Sequence, residues 1–294
     1  MRPKSRSQQS LFCLAENSKA VNITMTNILP IVSKDTHIYW VEEGDTLYIE
    51  RLKQGQYQRT NWHFAQTLID NWRRAIDVGS NNACNAIHYA KRFGSVECFE
   101  PTPLAQQLWR NTVRDNQVDN VTLYPVGVGE KSYATEILTH DRNGGHNHLA
   151  HYDKNLRADP SRSSRVRVPV QVETLDSFNF EDVGFVKVDV EGYEKFVLEG
   201  AQTLIAQSRP TIQLEIVSAQ CRKFNYRAED MIEWIRSWDY TVVSKNRGNL
   251  LGKFTSDGRQ IFYDGNHYRR EMDLWFQPNE RVRHTQVDAL FAFE

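Results

Sequence analysis

The stretch Ala75-Ile-Asp-Val-Gly-Ser-Asn81 constrains this chain more than any other. It reads as a short buried strand that runs into one glycine, and Asn82 to Ala90 continues with helical spacing. One helix later a second apolar run, Ser95-Val-Glu-Cys-Phe99, stops at Glu100. A strand, a tight turn, a crossover helix and a second strand make a parallel pair, because the crossover returns the chain beside its starting strand. The alternation continues, which predicts an α/β fold: a Rossmann-like, mostly parallel sheet with helices on both faces. Strands fall near 75–79, 95–100, 121–126, 184–190 and 210–217, then 240–244 and 259–264. Helices fall near 83–93, 102–116, 192–207 and 227–238.

That frame divides the chain. Residues 1–36 are polar and weakly patterned and read as a flexible arm. Residues 37–74 read as a structural preamble. In it His37 to Val41 and Thr46 to Glu50 flank Glu43-Gly-Asp45 as a hairpin, and Trp62, Leu68, Ile69 and Trp72 mark one face of a helix. The main domain spans 75–265, with an insertion at 129–172 that holds strands near 133–138 and 166–172. Between those strands lies a polar loop, Asp141 to Arg165, carrying Gly144-Gly145, His146, His148 and His151. A basic run extends from Arg157 to Arg167, and loops of such length in compact domains are functional or mobile. Residues 266–294 read as a C-terminal extension anchored by Asp273-Leu-Trp-Phe276.

Composition removes several function classes. With 40% hydrophobic residues and seven tryptophans among 294 residues, the chain can build a sizeable core. Lys and Arg total 36 against 37 Asp and Glu, so no net charge draws it to nucleic acid or an anionic membrane. No apolar run approaches the ~18 residues of a membrane span. Arg2, Lys4 and Arg6 precede only the short run Leu11 to Ala15, too short for a secretory signal. Cys13, Cys84, Cys98 and Cys221 show no metal-ligand spacing, and a reduced, cytoplasmic setting is the expectation.

In an open α/β sheet, ligands bind outside the carboxyl ends of the strands. Asp77 lies just before such an end, Gly79 makes the turn, and the next helix aims free N–H groups at the site. Glu100 can accept hydrogen bonds from the two hydroxyls of a ribose. A dinucleotide needs Gly-x-Gly-x-x-Gly for its pyrophosphate, and here Gly79-Ser-Asn-Asn-Ala-Cys84 supplies one glycine of three. Asp77 also suits a cation better than a phosphate. These residues favour S-adenosylmethionine, a sulfonium without phosphate; the bland alternative is that Asp77 and Glu100 only cap their turns. A second constellation is Val186-Lys-Val-Asp-Val-Glu-Gly-Tyr-Glu194, where strand alternation puts Lys187, Asp189 and Glu191 on one face. Charges so placed must pair or reach a cavity.

Asp77-Val-Gly-Ser-Asn81, Phe99-Glu-Pro101, Val172-Glu-Thr-Leu-Asp176 and Val186 to Glu194 together resemble the FkbM family of S-adenosylmethionine-dependent methyltransferases. So do Val197-Leu-Glu-Gly-Ala201 and Arg209-Pro with Glu215, and the resemblance covers about residues 75 to 217. It implies the seven-stranded class I methyltransferase fold, whose last, antiparallel strand the 259–264 run would supply. It also implies O-methylation, commonly of sugar hydroxyls in glycans, glycolipids or natural products. By position, Asp77, Gly79 and Asn81 match the loop on the methionine side, and Glu100 matches the ribose acid. Val126 and Gly127 lie in the segment flanking the adenine, which reads Pro125-Val-Gly127 where the family has Asn and Ala. Asp189 and Glu191 match the acidic pair at the active-site mouth, and Glu215 matches the acid ending the fifth strand. Ala83 stands where the family has glycine, and its methyl is expected to narrow the approach to the cofactor.

An alcohol loses its proton during methyl transfer, so a base must stand within ~3 Å of it. The catalytic candidates are Asp189, for orienting donor and acceptor, with Glu191 and His148. No metal is assigned: His146, His148 and His151 lack an evident fourth ligand, and a cation held by Asp189, Glu191 and Glu215 is the less favoured reading. The partner expected is a small-molecule or glycan acceptor rather than nucleic acid. Two alternatives stay open: a nucleic-acid methyltransferase, and a binding module that keeps the fold without catalysis. Asp189-Val-Glu-Gly192 stands where base methyltransferases carry Asn/Asp-Pro-Pro-aromatic, which counts against the first.

Overall fold

A computed structural model describes residues 27–44, 46–139, 148–149, 166–243 and 272–281. The strands are β1 (Ile28–Val32), β2 (Ile38–Glu42), β3 (Arg74–Val78), β4 (Ser95–Phe99), β5 (Val121–Tyr124), β6 (Gly127–Val128), β7 (Tyr133–Thr139), β8 (His148–Leu149), β9 (Val166–Glu173), β10 (Val183–Val188), β11 (Thr211–Ile216), β12 (Tyr240–Val243) and β13 (Met272–Pro278). The helices are α1 (Thr46–Lys53), α2 (Arg59–Leu68), α3 (Cys84–Ala90), α4 (Pro103–Asp115), α5 (Glu194–Glu199), α6 (Gln202–Ser208), α7 (Ser218–Lys223) and α8 (Ala228–Arg236).

Seven strands form the main sheet in the order β12-β13-β11-β10-β3-β4-β5. β5, β4, β3, β10 and β11 run parallel, and β13 pairs antiparallel with both β11 and β12. All six residues of β10 are buried, as a central strand covered on both faces must be. Alternate residues feed two apolar clusters on opposite faces. Ile76, Val186, Leu214 and Phe276 join one, while Ala75, Phe185 and Trp275 join the other. Trp62, Ala65 and Leu68 of α2 cover the second face, so the preamble helix packs on the sheet as its spacing implies. A four-stranded sheet, β6-β9-β7-β8, makes up the insertion.

Three expectations are corrected. The hairpin pairs β2 with β1, from Ile28↔Glu42 to Val32↔Ile38, so part of the supposed arm is strand and Thr46 to Glu50 is helix. The closing antiparallel strand is Met272–Pro278, the stretch read as an anchor; 259–264 lies outside the described residues. The single helix at 192–207 is two, α5 and α6, separated at Gly200. A Cβ on Gly200 would stand 2.0 Å from the Gly129 carbonyl oxygen, so the break lets the insertion close on the main sheet. His146, His151 and the run from Arg157 to Arg165 also lie outside the described residues, as does the side chain of His148.

Candidate functional site

The carboxyl ends of β3, β4 and β10 are sewn together by backbone bonds. The N–H groups of Gly79 and Ser80 both donate to the Phe99 carbonyl, at 3.0 and 3.1 Å, and the Asp189 N–H donates to Val78 at 3.0 Å. Gly79 has φ +84°, and a Cβ there would stand 1.9 Å from the Asp189 carbonyl oxygen. Its glycine identity therefore answers first to the neighbouring strand: no side chain fits between these two turns.

Above these ends opens a cavity of about 370 Å³. Gly79, Asn81, Glu100, Val126, Gly127, Asp189, Glu191 and Glu215 all line it, as the sequence placed them. Asp77 does not. It is fully buried beneath the wall, in register with Lys187 on the adjacent strand.

Lys187, 2% exposed, bridges that buried acid and the cavity. Its Nζ lies 2.9 Å from Asp189 Oδ2 and 3.7 Å from Asp77 Oδ1. Burial works against its charge, yet Asp189 and Asp77 outweigh it and hold the amine protonated, well above the usual lysine range. For Asp189 burial works upward, but Lys187 and a hydrogen bond with the Glu215 carboxyl bring the net shift below the ordinary carboxylate value. Burial raises Asp77, with Lys187 opposing. Ser80 acts on its charge, though neither Asp77 oxygen meets hydrogen-bond geometry.

Glu100, also buried, is held by Asn81 N–H at 3.1 Å on Oε2. The Thr102 N–H and hydroxyl occupy Oε1 at 2.9 and 2.7 Å. Burial raises its pKa against those bonds. Of about four acceptor positions on a carboxylate, three are filled. One vicinal hydroxyl can bond Oε2 directly, and a second needs the Thr102 hydroxyl to turn away.

Glu191 sits past the end of β10 with φ +58°, so strand alternation does not carry it to the wall; the turn does. Gln220 of α7 donates to its carboxylate. Glu194 supports the same turn from below, accepting the N–H groups of Val190 and Gly192 at 3.1 Å each. Ala83 corrects another expectation. It has φ +67°, is fully buried in the apolar cluster with Ala86 and Trp62, and its methyl faces away from the cavity lining.

The preamble, read as structural, supplies one wall through Val41, Glu42, Leu47, Tyr48, Arg51 and Tyr57. Nothing local in Thr46–Lys53 marks that role; it depends on Tyr48 donating to Asn82 Oδ1 at 2.7 Å. His148 stands in backbone register with Leu138, beside the lining residue Ile137. Among the described residues no group of three or more His, Cys, Asp or Glu side chains is arranged to hold a metal ion. No helix among them is long and apolar enough to cross a membrane.

The wall thus carries Glu42, Glu100, Asp189, Glu191 and Glu215, with Lys187 already paired. A pyrophosphate would be repelled here. A cationic ligand bearing vicinal hydroxyls fits.

The family description "Methyltransferase FkbM domain" matches residues 77–242. No curated protein matches the chain. Among solved structures, a methyltransferase FkbM from Methylobacillus flagellatus aligns at 16% identity and TM-score 0.43, over 79% of this chain and 55% of that one. The chain therefore spans little more than half that relative's length. An rRNA methylase from Streptococcus thermophilus aligns at 10% identity and TM-score 0.41, over 74% of this chain and 94% of that one. A candidate methyltransferase from Streptococcus mutans, in complex with SAH, aligns at 8% identity and TM-score 0.42, over 74% and 96%.

Proposed function

This chain belongs to the FkbM methyltransferase family, and from that premise we propose that it is an O-methyltransferase that uses S-adenosylmethionine to methylate a hydroxyl of a sugar, glycan or related metabolite. The observation that carries the reading is the acidic wall at adjacent strand ends, with Glu100 beside Asn81 on one side and Asp189 on the other. When bound, the cofactor supplies an electrophilic methyl group. Glu100 holds ribose hydroxyls, Asn81 and Gly79 border the methionine side, and Val126 and Gly127 flank the base. Asp77 acts through Lys187 without reaching the ligand.

Asp189, kept ionised by Lys187, favours positive charge at the centre and accepts a hydrogen bond from the reacting hydroxyl, which orients it. An acid held below its usual pKa is a weak base, so the proton goes elsewhere. Glu191, on the wall beside it, would take the hydroxyl proton as the O–CH3 bond forms and the S–CH3 bond breaks, its electron pair staying on the sulfur of a neutral thioether; His148 is the second candidate. A pH–rate profile separates them. The profile assigns the proton to Glu191 if Glu191→Gln flattens its acid limb while His148→Ala leaves it in place, and to His148 if the effects are reversed.

Calorimetric titration with S-adenosylmethionine tests the donor site. Glu100→Ala should weaken binding about tenfold, the worth of one charge-assisted hydrogen bond. An unchanged affinity would show that the ribose acid is misassigned, and no heat at millimolar ligand would sink the enzyme reading. Incubation with labelled donor and separate glycan and nucleic-acid fractions then identifies the acceptor.

A further inference from the structure

We propose that α1 and Tyr57 form the acceptor side of the cavity, where Tyr57 hydrogen-bonds the acceptor and Arg51 pairs with an anionic group, carboxylate or phosphate, on it. The proposal rests on the O-methyltransferase reading above. It begins from position in the chain. Val41, Leu47, Tyr48, Arg51 and Tyr57 line the cavity, yet all precede the matched segment 77–242.

This wall is fixed with respect to the donor side. Tyr48 donates to Asn82 Oδ1 at 2.7 Å, and Asn82 Nδ2 donates to the Trp40 carbonyl at 3.0 Å. Helix α1 and strand β2 are therefore both tied to the turn that carries Gly79 and Asn81. Tyr57 meets the Tyr48 ring edge-on, with centroids 4.7 Å apart and planes at 88°. That contact orients the Tyr57 ring and leaves its hydroxyl without a hydrogen-bond partner among the described residues. Burial, then Cys84 and Asp189, push the phenol well above its usual range, so it stays a neutral donor near the acid pair.

Arg51 is distinguished by what it does not pair with. The wall holds five carboxylates, Glu42, Glu100, Asp189, Glu191 and Glu215, and among the described residues Arg51 forms an ion pair with none of them. Lys187, the other cation on the wall, is taken by Asp189 at 2.9 Å. A cationic donor answers the acids on its side. Arg51, on the preamble wall that also carries Glu42, offers a cation to an acceptor that brings a negative charge. The aromatic pair beside it suits the apolar face of a sugar ring.

The test measures methyl transfer from labelled S-adenosylmethionine by the full chain. The probes are glucose, glucuronic acid and glucose carrying a phosphate on its primary hydroxyl, with donor binding followed by calorimetry. One acidic probe should be used about tenfold better than glucose in kcat/KM, as one charge-assisted hydrogen bond allows. Preference for glucuronic acid identifies a carboxylate acceptor, and preference for the phosphate ester identifies a phosphorylated one. Arg51→Gln should erase the preference, mainly through KM, and Tyr57→Phe should lower kcat/KM about tenfold on every probe used. Both variants should keep donor affinity within about twofold, since neither residue touches the donor side. Equal use of the three probes, transfer to none, or a Tyr57→Phe enzyme with unchanged kinetics overturns the proposal. So does parallel loss of donor affinity, which would place these residues in the fold rather than at the acceptor. Failure of the wild-type chain to bind the donor would instead strike the methyltransferase reading beneath it.

Discussion

Lys187 carries the electrostatics of the site, because it is the buried cation between Asp77 and Asp189. Its replacement by methionine keeps most of the volume and leaves two carboxylates uncompensated in a dry environment. That change should destabilise the protein by about 3–5 kcal/mol in urea unfolding, and the double variant with Asp77→Asn should recover part of the loss. A loss below about 1 kcal/mol would mean that water already reaches the pair. Ala83 tests a different point. Relief of its left-handed backbone is worth roughly 1–2 kcal/mol. Loss of a buried methyl and greater freedom in the unfolded chain offset this by about 1–2 kcal/mol, so Ala83→Gly should be nearly neutral. It should also leave donor affinity within about twofold, because the methyl packs into the core. From the sequence the absent glycine looked like an obstruction at the cofactor. Spacing locates the turn, whereas only the φ of +67° shows which way the Cβ points.

At the scale of elements, the turn between β10 and α5 is held by a buried carboxyl. Glu194 is 1% exposed, accepts the Val190 and Gly192 N–H groups, and lies 3.3 Å from the Tyr226 hydroxyl, which itself donates to Gly192 O at 2.8 Å. Burial, opposed by those backbone bonds and reinforced by Asp189, raises its pKa from 4.5 to about 7. The folded state therefore holds this proton to higher pH than the unfolded chain does. The stabilising contribution is present in full below the unfolded value and is lost as pH rises through about 7, at a cost of roughly 3 kcal/mol. Glu194→Gln mimics the protonated form. Its thermal midpoint relative to wild type should rise between about pH 5 and pH 8; parallel curves for the two proteins would show that Glu194 does not titrate across this range. The strands and helices around this turn were legible because buried parallel strands are continuous apolar runs, as in Val183–Val188. The preamble was not. Thr46-Leu-Tyr-Ile-Glu50 has strand-forming residues, but burial of Leu52 one helical turn beyond Tyr48 decides for helix. Ile28–Val32 was hidden by Pro30, which only an edge strand tolerates.

For the whole molecule the decisive element is the last strand. β13 lies between β11 and β12 and runs antiparallel to both, so it joins the edge strand β12 to the parallel sheet. Leu274 and Phe276 are fully buried on one face and Trp275 on the other. Gln277 Nε2 reaches the Leu68 carbonyl at 3.0 Å and Gln213 Nε2 reaches Asp273 at 2.9 Å, tying the strand to α2 and to β11. The domain end near residue 265 follows from giving the last strand to the apolar run within 259–264, while residues 274–278 are buried without a break and show no alternation. The placement matters for energy. A chain stopped at 265 loses three large buried side chains, each worth about 3 kcal/mol or more, against a total stability of about 5–15 kcal/mol. It also leaves the β11 ladder open, an edge that invites association. Such a chain should show no cooperative calorimetric transition, whereas Phe276→Ala in the full chain should keep one, shifted down by about 3–5 kcal/mol. A shortened chain that melts cooperatively at the wild-type temperature would show that the sheet closes without β13.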